Sequence, residues 1–289
     1  MNRFACFLPA LALTLAFSLL SVASGEETQI YTNLPAVAGP PNVETPFPIG
    51  ETIHFKIYWG FIEVAKSTAD TRWVEIKGKK YIAIRFRTQS TAAILNKVYP
   101  VNDFIESIVD PATLTPIQFV KVLNEGKYHC REHTTFDQTK KMARWVSVNR
   151  KKKKDYAIDE NTRDLATFMY MVRSQKFKPN TKYAFSVMAD ERIYDLDIVT
   201  GKNKNIKTGT YGKVDSIRLN PEAAFEGLFV RKGKMVIYVS NDDRQVLTLM
   251  DVDTPFANVH IRLHKITGGP HDKYNPKKVE VDLDKELKR

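Results

Sequence analysis

Apolar and polar side chains trade places residue by residue along most of this chain, and that alternation limits what it can fold into. Ile53, Phe55, Ile57 and Trp59 alternate with His54, Lys56 and Tyr58, and Val259, Ile261 and Leu263 alternate with His260, Arg262 and His264. Successive side chains of an extended backbone point to opposite faces, so the pattern specifies strands with one buried side. Similar runs occupy 81–88, 117–122, 128–136, 142–148, 183–187, 193–199, 213–219, 235–239 and 246–252. Short polar connections such as Asn124-Glu125-Gly126, Lys77-Gly78 and Asn241-Asp242-Asp243 suit hairpins. Strands joined by tight turns make an antiparallel meander, with little room for the helical crossovers of a parallel sheet. So many strands must curl or split into layers to hide their edges. The expected fold is therefore all-β and mainly antiparallel: a large curved meander sheet forming an open barrel or a two-layer structure, with one or two short helices.

Two segments carry a helical period instead. Residues 91–98 form a short one. In 161–174, Asn161 is placed to cap, Asp164 falls at the third helical position, and Leu165, Phe168, Met169 and Val172 make one stripe. That stripe is expected to pack on the sheet or plug one end of it.

The ends of the chain set its compartment. Arg3, an apolar run over 8–22 and the small residues Val22-Ala23-Ser24-Gly25 have the order of an export signal, read as 1–25. A membrane-spanning helix needs roughly 20 apolar residues, and this run is shorter and holds Pro9. Residues 26–48 carry Pro35, Pro40, Pro41, Pro46 and Pro48 and read as a linker. A single β-rich domain is expected over 49–267, followed by a charged tail over 268–289. Cys6 lies in the signal, so Cys130 stands alone after export, no internal disulfide is available, and stability must come from a core. The protein is thus expected in the periplasm or outside the cell.

No pattern in the chain demands a catalyst. His129-Cys130-Arg131-Glu132-His133 matches a metallopeptidase string, but that string needs a helix to bring its imidazoles together. On a strand, residues four apart lie about 13 Å from each other, too far to share a zinc. His260 and His264 meet the same objection. The carboxylates Asp195/Asp197, Asp242/Asp243 and Asp251/Asp253 read as strand and turn residues. There is no G-x-S-x-G elbow, glycine-rich phosphate loop or C-x-x-C pair. No catalytic residue, metal ligand or cofactor is therefore assigned. The formal charge of +11 makes Arg150, Lys151, Lys152, Lys153 and Lys154 candidates for anion binding. Outside the cytoplasm their partners would be lipid head groups, acidic glycans or proteins rather than nucleic acid, and any membrane association would be peripheral. Trp59, Phe61, Trp145 and Phe168 are the candidates for contact with an apolar ligand.

A set of landmarks completes the reading. Phe47-Pro48-Ile49-Gly50-Glu51 precedes a strand ending Tyr58-Trp59-Gly60, and Tyr99-Pro100-Val101-Asn102-Asp103 is followed by Glu106-Ser107 and Asp110-Pro111. Thr115-Pro116-Ile117, Asn124-Glu125-Gly126-Lys127-Tyr128 and Thr135-Phe136-Asp137 come next. Asp164-Leu165, Met171-Val172-Arg173, the stretch 227–234 and Val239-Ser240-Asn241-Asp242-Asp243 close the series. In this order they resemble the bacterial domain-of-unknown-function 3108 family. The resemblance implies an exported, β-rich domain and transfers no activity or catalytic residue. The expected function is a non-enzymatic periplasmic cell-envelope protein that binds an amphiphilic or glycan ligand, such as a lipid or lipid-linked glycan, or an envelope protein partner. The alternatives are an envelope hydrolase acting on glycan or peptide, and a purely structural or assembly protein.

Overall fold

A computed structural model of the chain describes residues 29–41, 43–91, 97, 99–221, 235–253 and 258–269. The signal read at 1–25, most of the helix read at 91–98, the stretch 227–234 and the tail beyond 269 lie outside those residues. Sixteen strands share one sheet. In chain order they are β1 (Glu51–Trp59), β2 (Ile62–Ile76), β3 (Lys79–Ser90), β4 (Asn102–Val109), β5 (Pro116–Glu125), β6 (Tyr128–Asp137), β7 (Met142–Ser147) and β8 (Lys152–Ala157). Then come β9 (Thr162–Asp164), β10 (Lys182–Ala189), β11 (Arg192–Thr200), β12 (Lys204–Lys207), β13 (Lys213–Pro221), β14 (Met235–Ser240), β15 (Leu247–Val252) and β16 (Val259–Gly268). One helix, α1 (Leu165–Val172), stands between β9 and β10.

β1 to β8 follow one another as a meander, β16 pairs with β1 on the other side, and the path continues through β15, β14, β13, β11 and β10 to β9. β12 pairs with β13 off this path. The terminal strands β8 and β9 share no ladder, so the sheet curls without closing. The expected all-β, mainly antiparallel architecture is what the chain adopts. The turns have the required chemistry: Lys77 and Gly78 both take positive φ, as a tight hairpin with twisted arms demands. Gly126 has a φ of +59°, and a Cβ there would meet the Tyr99 ring at 2.8 Å, so only glycine fits.

Alternation places Ile53, Phe55, Ala69, Ile84, Val109, Phe119, Trp145 and Leu263 in one core on the inner side of the curl. α1 packs inside the curl, with Phe168 and Val172 in a second cluster against β10, β11, β13 and β14. The proline-bearing segment before β1 lies on the sheet through residues 31–37. The Tyr31 N–H donates to Gln118 Oε1 at 2.8 Å, Asn33 N–H to Glu106 Oε1 at 3.1 Å and Val37 N–H to the Trp73 carbonyl at 3.0 Å. Tyr31 and Leu34 cover Val74, Ile76, Ala83 and Ile108 on the outer face.

The structure corrects the sequence reading in two places. Residues 162–164 are not helical: they form β9, which pairs in parallel with β10, so one helical crossover exists after all. The cap is consequently Asp164, which accepts from the Thr167 N–H at 2.9 Å, while the Asn161 N–H turns back to Asp159 Oδ1 at 3.0 Å. The parallel ladder claims the backbone of 162–164 before a helix can. Second, the alternation test passes over β2, β4, β8, β9 and β12. β2 illustrates the cause: its buried Asp70 reads as a solvent residue but pairs with Arg85 Nε at 2.9 Å and Nη2 at 2.5 Å. Lys152, Lys153 and Lys154 lie on β8.

Candidate functional site

Among the described residues the curl leaves an apolar space between the C-terminal half of α1 and the inner face of the sheet. Its cavity volume is about 50 Å³, and it opens to solvent at its mouth. Each element contributes by its own period. Helical spacing turns Phe168 and Val172 to the space, and strand alternation brings Ile53 and Phe55 from β1, Leu219 from β13 and Ile237 from β14. Only Tyr170, Arg173 and Gln245 among its lining residues carry side-chain polar groups able to form strong hydrogen bonds.

Those three gather where β1 begins. Arg173, the C-cap of α1, is 5% exposed. Its guanidinium lies 5.1 Å from the Tyr170 ring centroid and 5.9 Å from that of Phe47, and those two rings meet edge to face at 4.8 Å. Arg173 Nη1 donates to Glu51 Oε1, and Nε donates to the Arg244 carbonyl at 3.3 Å. Arg244 Nη2 donates to the other oxygen of Glu51. A fully buried carboxylate thus carries two guanidinium groups. Gln245 Nε2 donates to the Gln175 carbonyl. Arg173 Nη2, Gln245 Oε1 and the Tyr170 hydroxyl are buried without a hydrogen-bond partner. Burial raises the Tyr170 phenol well above its ordinary range, so it stays a neutral hydroxyl.

A second polar group lies on the wall formed by β5 to β7. Lys121 Nζ bonds Glu132 Oε2 at 2.9 Å and also pairs with Asp190 in the β10–β11 turn. Arg150 Nη2 holds the other Glu132 oxygen at 2.7 Å and Nη1 pairs with Glu191. Burial would raise the Glu132 carboxyl, but Lys121 and Arg150 outweigh it and hold it below the usual range. These ion pairs tie the β10–β11 turn to the opposite wall, which is how the curl is fastened without a ladder. Further along, Asp103 and Glu125 share a proton-binding environment: burial first, and then the neighbouring Asp103, push Glu125 up to about 7. Burial likewise raises Asp103.

Of the candidates read from sequence, the structure brings only Phe168 to the apolar space. Trp59 sits at the far end of β1 and Phe61 projects from the β1–β2 turn, 93% exposed. Trp145 is buried on β7, where Nε1 reaches Glu132 Oε2 at 3.4 Å and Arg150 covers its ring at 5.0 Å. Arg150 is committed to Glu132 and Glu191. Lys151 to Lys154 are exposed, Lys152 to Lys154 along β8. The string from His129 to His133 lies in β6: His129 contacts Asn124 Oδ1 at 3.0 Å, and Cys130 and Glu132 face the other way, buried. Burial pushes the Cys130 thiol up to about 11. No group of three His, Cys, Asp or Glu residues is placed to hold a metal ion among the described residues.

Sequence reading missed Glu51, Arg173, Arg244 and Gln245. Glu51 and Arg173 entered it only as landmarks of the family resemblance. The signal that was available is positional, since Glu51 opens a strand whose alternation points its side chain inward with Ile53 and Phe55.

A curled, mostly antiparallel sheet that does not close, with α1 packed inside it, defines a β-barrel-like fold among the described residues. By its sequence the chain belongs to the family described as "Protein of unknown function (DUF3108)", whose model matches residues 54–263. Among solved structures it is similar to the β-barrel-like protein of domain of unknown function DUF1849 from Brucella abortus, at 10% identity and a TM-score of 0.50, over 78% of this chain and 99% of that one. A DUF1089 family protein from Pseudomonas aeruginosa matches at 7% identity and a TM-score of 0.28, over 80% of this chain and 98% of that one. A porin-like protein from Bacteroides uniformis matches at 7% identity and a TM-score of 0.29, over 77% of this chain and 99% of that one. No curated protein matches the chain.

Proposed function

We propose that the protein is a non-enzymatic, exported binding protein of the cell envelope that holds the apolar part of an amphiphile beneath α1. The observation that carries this reading is the apolar space itself. Protein interiors are close-packed, and voids much larger than a water molecule are few. The space beneath α1 is a cavity of about 50 Å³ that opens to solvent; it exceeds the room one water needs, roughly 10–15 Å³, and an apolar chain entering through its mouth gains contact along its walls. Its chemistry selects among the ligands. A glycan would need many convergent donors and acceptors, and the lining has three polar side chains gathered at one place. An apolar chain needs none along its length. Export is supported by the order of charged, apolar and small residues at the start of the sequence.

The test is native extraction of the full exported chain followed by mass spectrometry of co-purifying small molecules, together with titration of the stripped protein by a fluorescent single-chain amphiphile. The expected result is stoichiometric binding that Leu219→Trp, which fills the space, weakens at least about tenfold while the protein still folds; loss of a well-packed apolar anchor is of this order. A folded, stripped protein that takes up no single-chain amphiphile overturns the reading.

A further inference from the structure

The polar end of the apolar space carries a chemical demand of its own. Arg173 presents five N–H donors in a fixed fork. Two directions of that fork are used, Nη1 on Glu51 and Nε on the Arg244 carbonyl, while Nη2 is buried with no acceptor. Glu51 is shared by Arg173 and Arg244. The other carboxylates of this region are engaged: Asp70 is held by Arg85 at 2.5 Å and Arg72 at 3.3 Å, and Asp242 Oδ1 accepts from Ser240 Oγ at 2.9 Å and the Arg244 N–H at 3.0 Å. A guanidinium kept from water by the Phe47 and Tyr170 rings, with an unfilled donor, is costly unless an acceptor arrives. Gln245 makes the opposite demand. Its amide nitrogen is fixed on the Gln175 carbonyl, which leaves Oε1 as a buried acceptor lacking a donor.

We propose that Arg173 and Gln245 form the head-group receptor of this site, and that the ligand is a single-chain amphiphile with an anionic oxygen for Arg173 and an adjacent hydroxyl for Gln245. This deepens the reading of the apolar space as an amphiphile site and rests on it. The two orphaned groups are complementary to an acid bearing a neighbouring hydroxyl: the anion accepts from Nη2, and the hydroxyl donates to Oε1. The head then lies where β1 begins at Glu51, and the chain extends past Phe55 and Ile237.

The experiment uses the stripped full-length protein and one chain length with different heads: palmitate, hexadecyl phosphate, 2-hydroxypalmitate, hexadecanol and hexadecyltrimethylammonium. Palmitate and hexadecyl phosphate are expected to bind at least about tenfold more tightly than hexadecanol, the scale of a charge-assisted hydrogen bond. Hexadecyltrimethylammonium is expected to bind least. 2-Hydroxypalmitate should exceed palmitate, and Gln245→Leu should erase that increment alone. Arg173→Gln should abolish the preference for anions, Arg173→Lys should keep part of it, and Lys152→Gln, a distant surface change, should leave it intact. Equal affinity for all heads overturns the head-group receptor while sparing the amphiphile site. An anion preference that survives Arg173→Gln overturns it too. Failure of every probe to bind the folded wild-type protein overturns both readings. The wild-type series alone decides the matter if the Arg173 variants do not fold.

Discussion

Single residues here are governed by how burial sets their charge. Glu125 is the clearest case. Its ordinary value is 4.5, and burial with Asp103 beside it brings it to about 7 in the fold. Between those values the folded chain keeps a proton that the unfolded chain has released. Stability contributed by this group therefore falls as pH rises from 4.5 to 7, the reverse of a salt-bridged carboxylate. Glu125→Gln removes the titration. Its stability relative to wild type is expected to climb across that window in urea unfolding at a series of pH values, and parallel curves would exclude the effect. Nothing in the sequence marks Glu125 for this role: in Asn124-Glu125-Gly126 it reads as a hairpin turn residue. The second cause of its shift, Asp103, lies on the neighbouring strand, where its Oδ1 accepts the Asn124 N–H at 2.9 Å.

Among the elements, α1 decides whether there is a site at all, and it is anchored at one residue. Asp164 is fully buried; it accepts from the Thr167 N–H at 2.9 Å, the Thr167 hydroxyl at 2.8 Å and the Ser107 hydroxyl on β4 at 2.5 Å. It joins the cap of the helix to the sheet behind it. An isolated helix of eight residues is not stable in water, so this junction and the packing of Phe168 and Val172 hold it. Asp164→Ala removes the cap and takes an acceptor from two buried hydroxyls, Ser107 and Thr167, which keep each other as partner at 2.9 Å. The expected loss is about 2–3 kcal/mol in chemical denaturation. Asp164→Asn, which keeps a capping oxygen, is expected to lose less. Equal losses for the two would mean that the carboxylate charge, and not the cap, stabilises the junction. The helix was legible from its apolar stripe, but its start was not, because the parallel pairing of 162–164 depends on β10, some twenty residues later.

At the scale of the whole molecule, an unclosed sheet has edges, and edges invite other strands. β8 is one terminal strand, and Lys152, Lys153, Lys154 and Asp155 make four consecutive exposed residues along it. Charge on an edge strand opposes pairing with a second chain. Read as sequence, the lysine run suggests an anion surface; read in the fold, it also guards the edge. Replacing Lys152, Lys153 and Lys154 together with Thr is expected to produce concentration-dependent oligomers larger than any the wild type forms, measured by sedimentation velocity of both. Unchanged sedimentation across concentrations would leave the lysines without this role.

The sequence alone determined the β class, the meander from hairpin to hairpin, the stripe of α1 and the family, because each is written in neighbouring residues: a two-residue period, a turn, a helical period. The site was decided by the tertiary structure. Arg173 meets Glu51 across 122 positions and Arg244 meets it across 193. No local pattern records such distances, and a buried charge looks like a solvated one until the curl of the sheet removes the water around it.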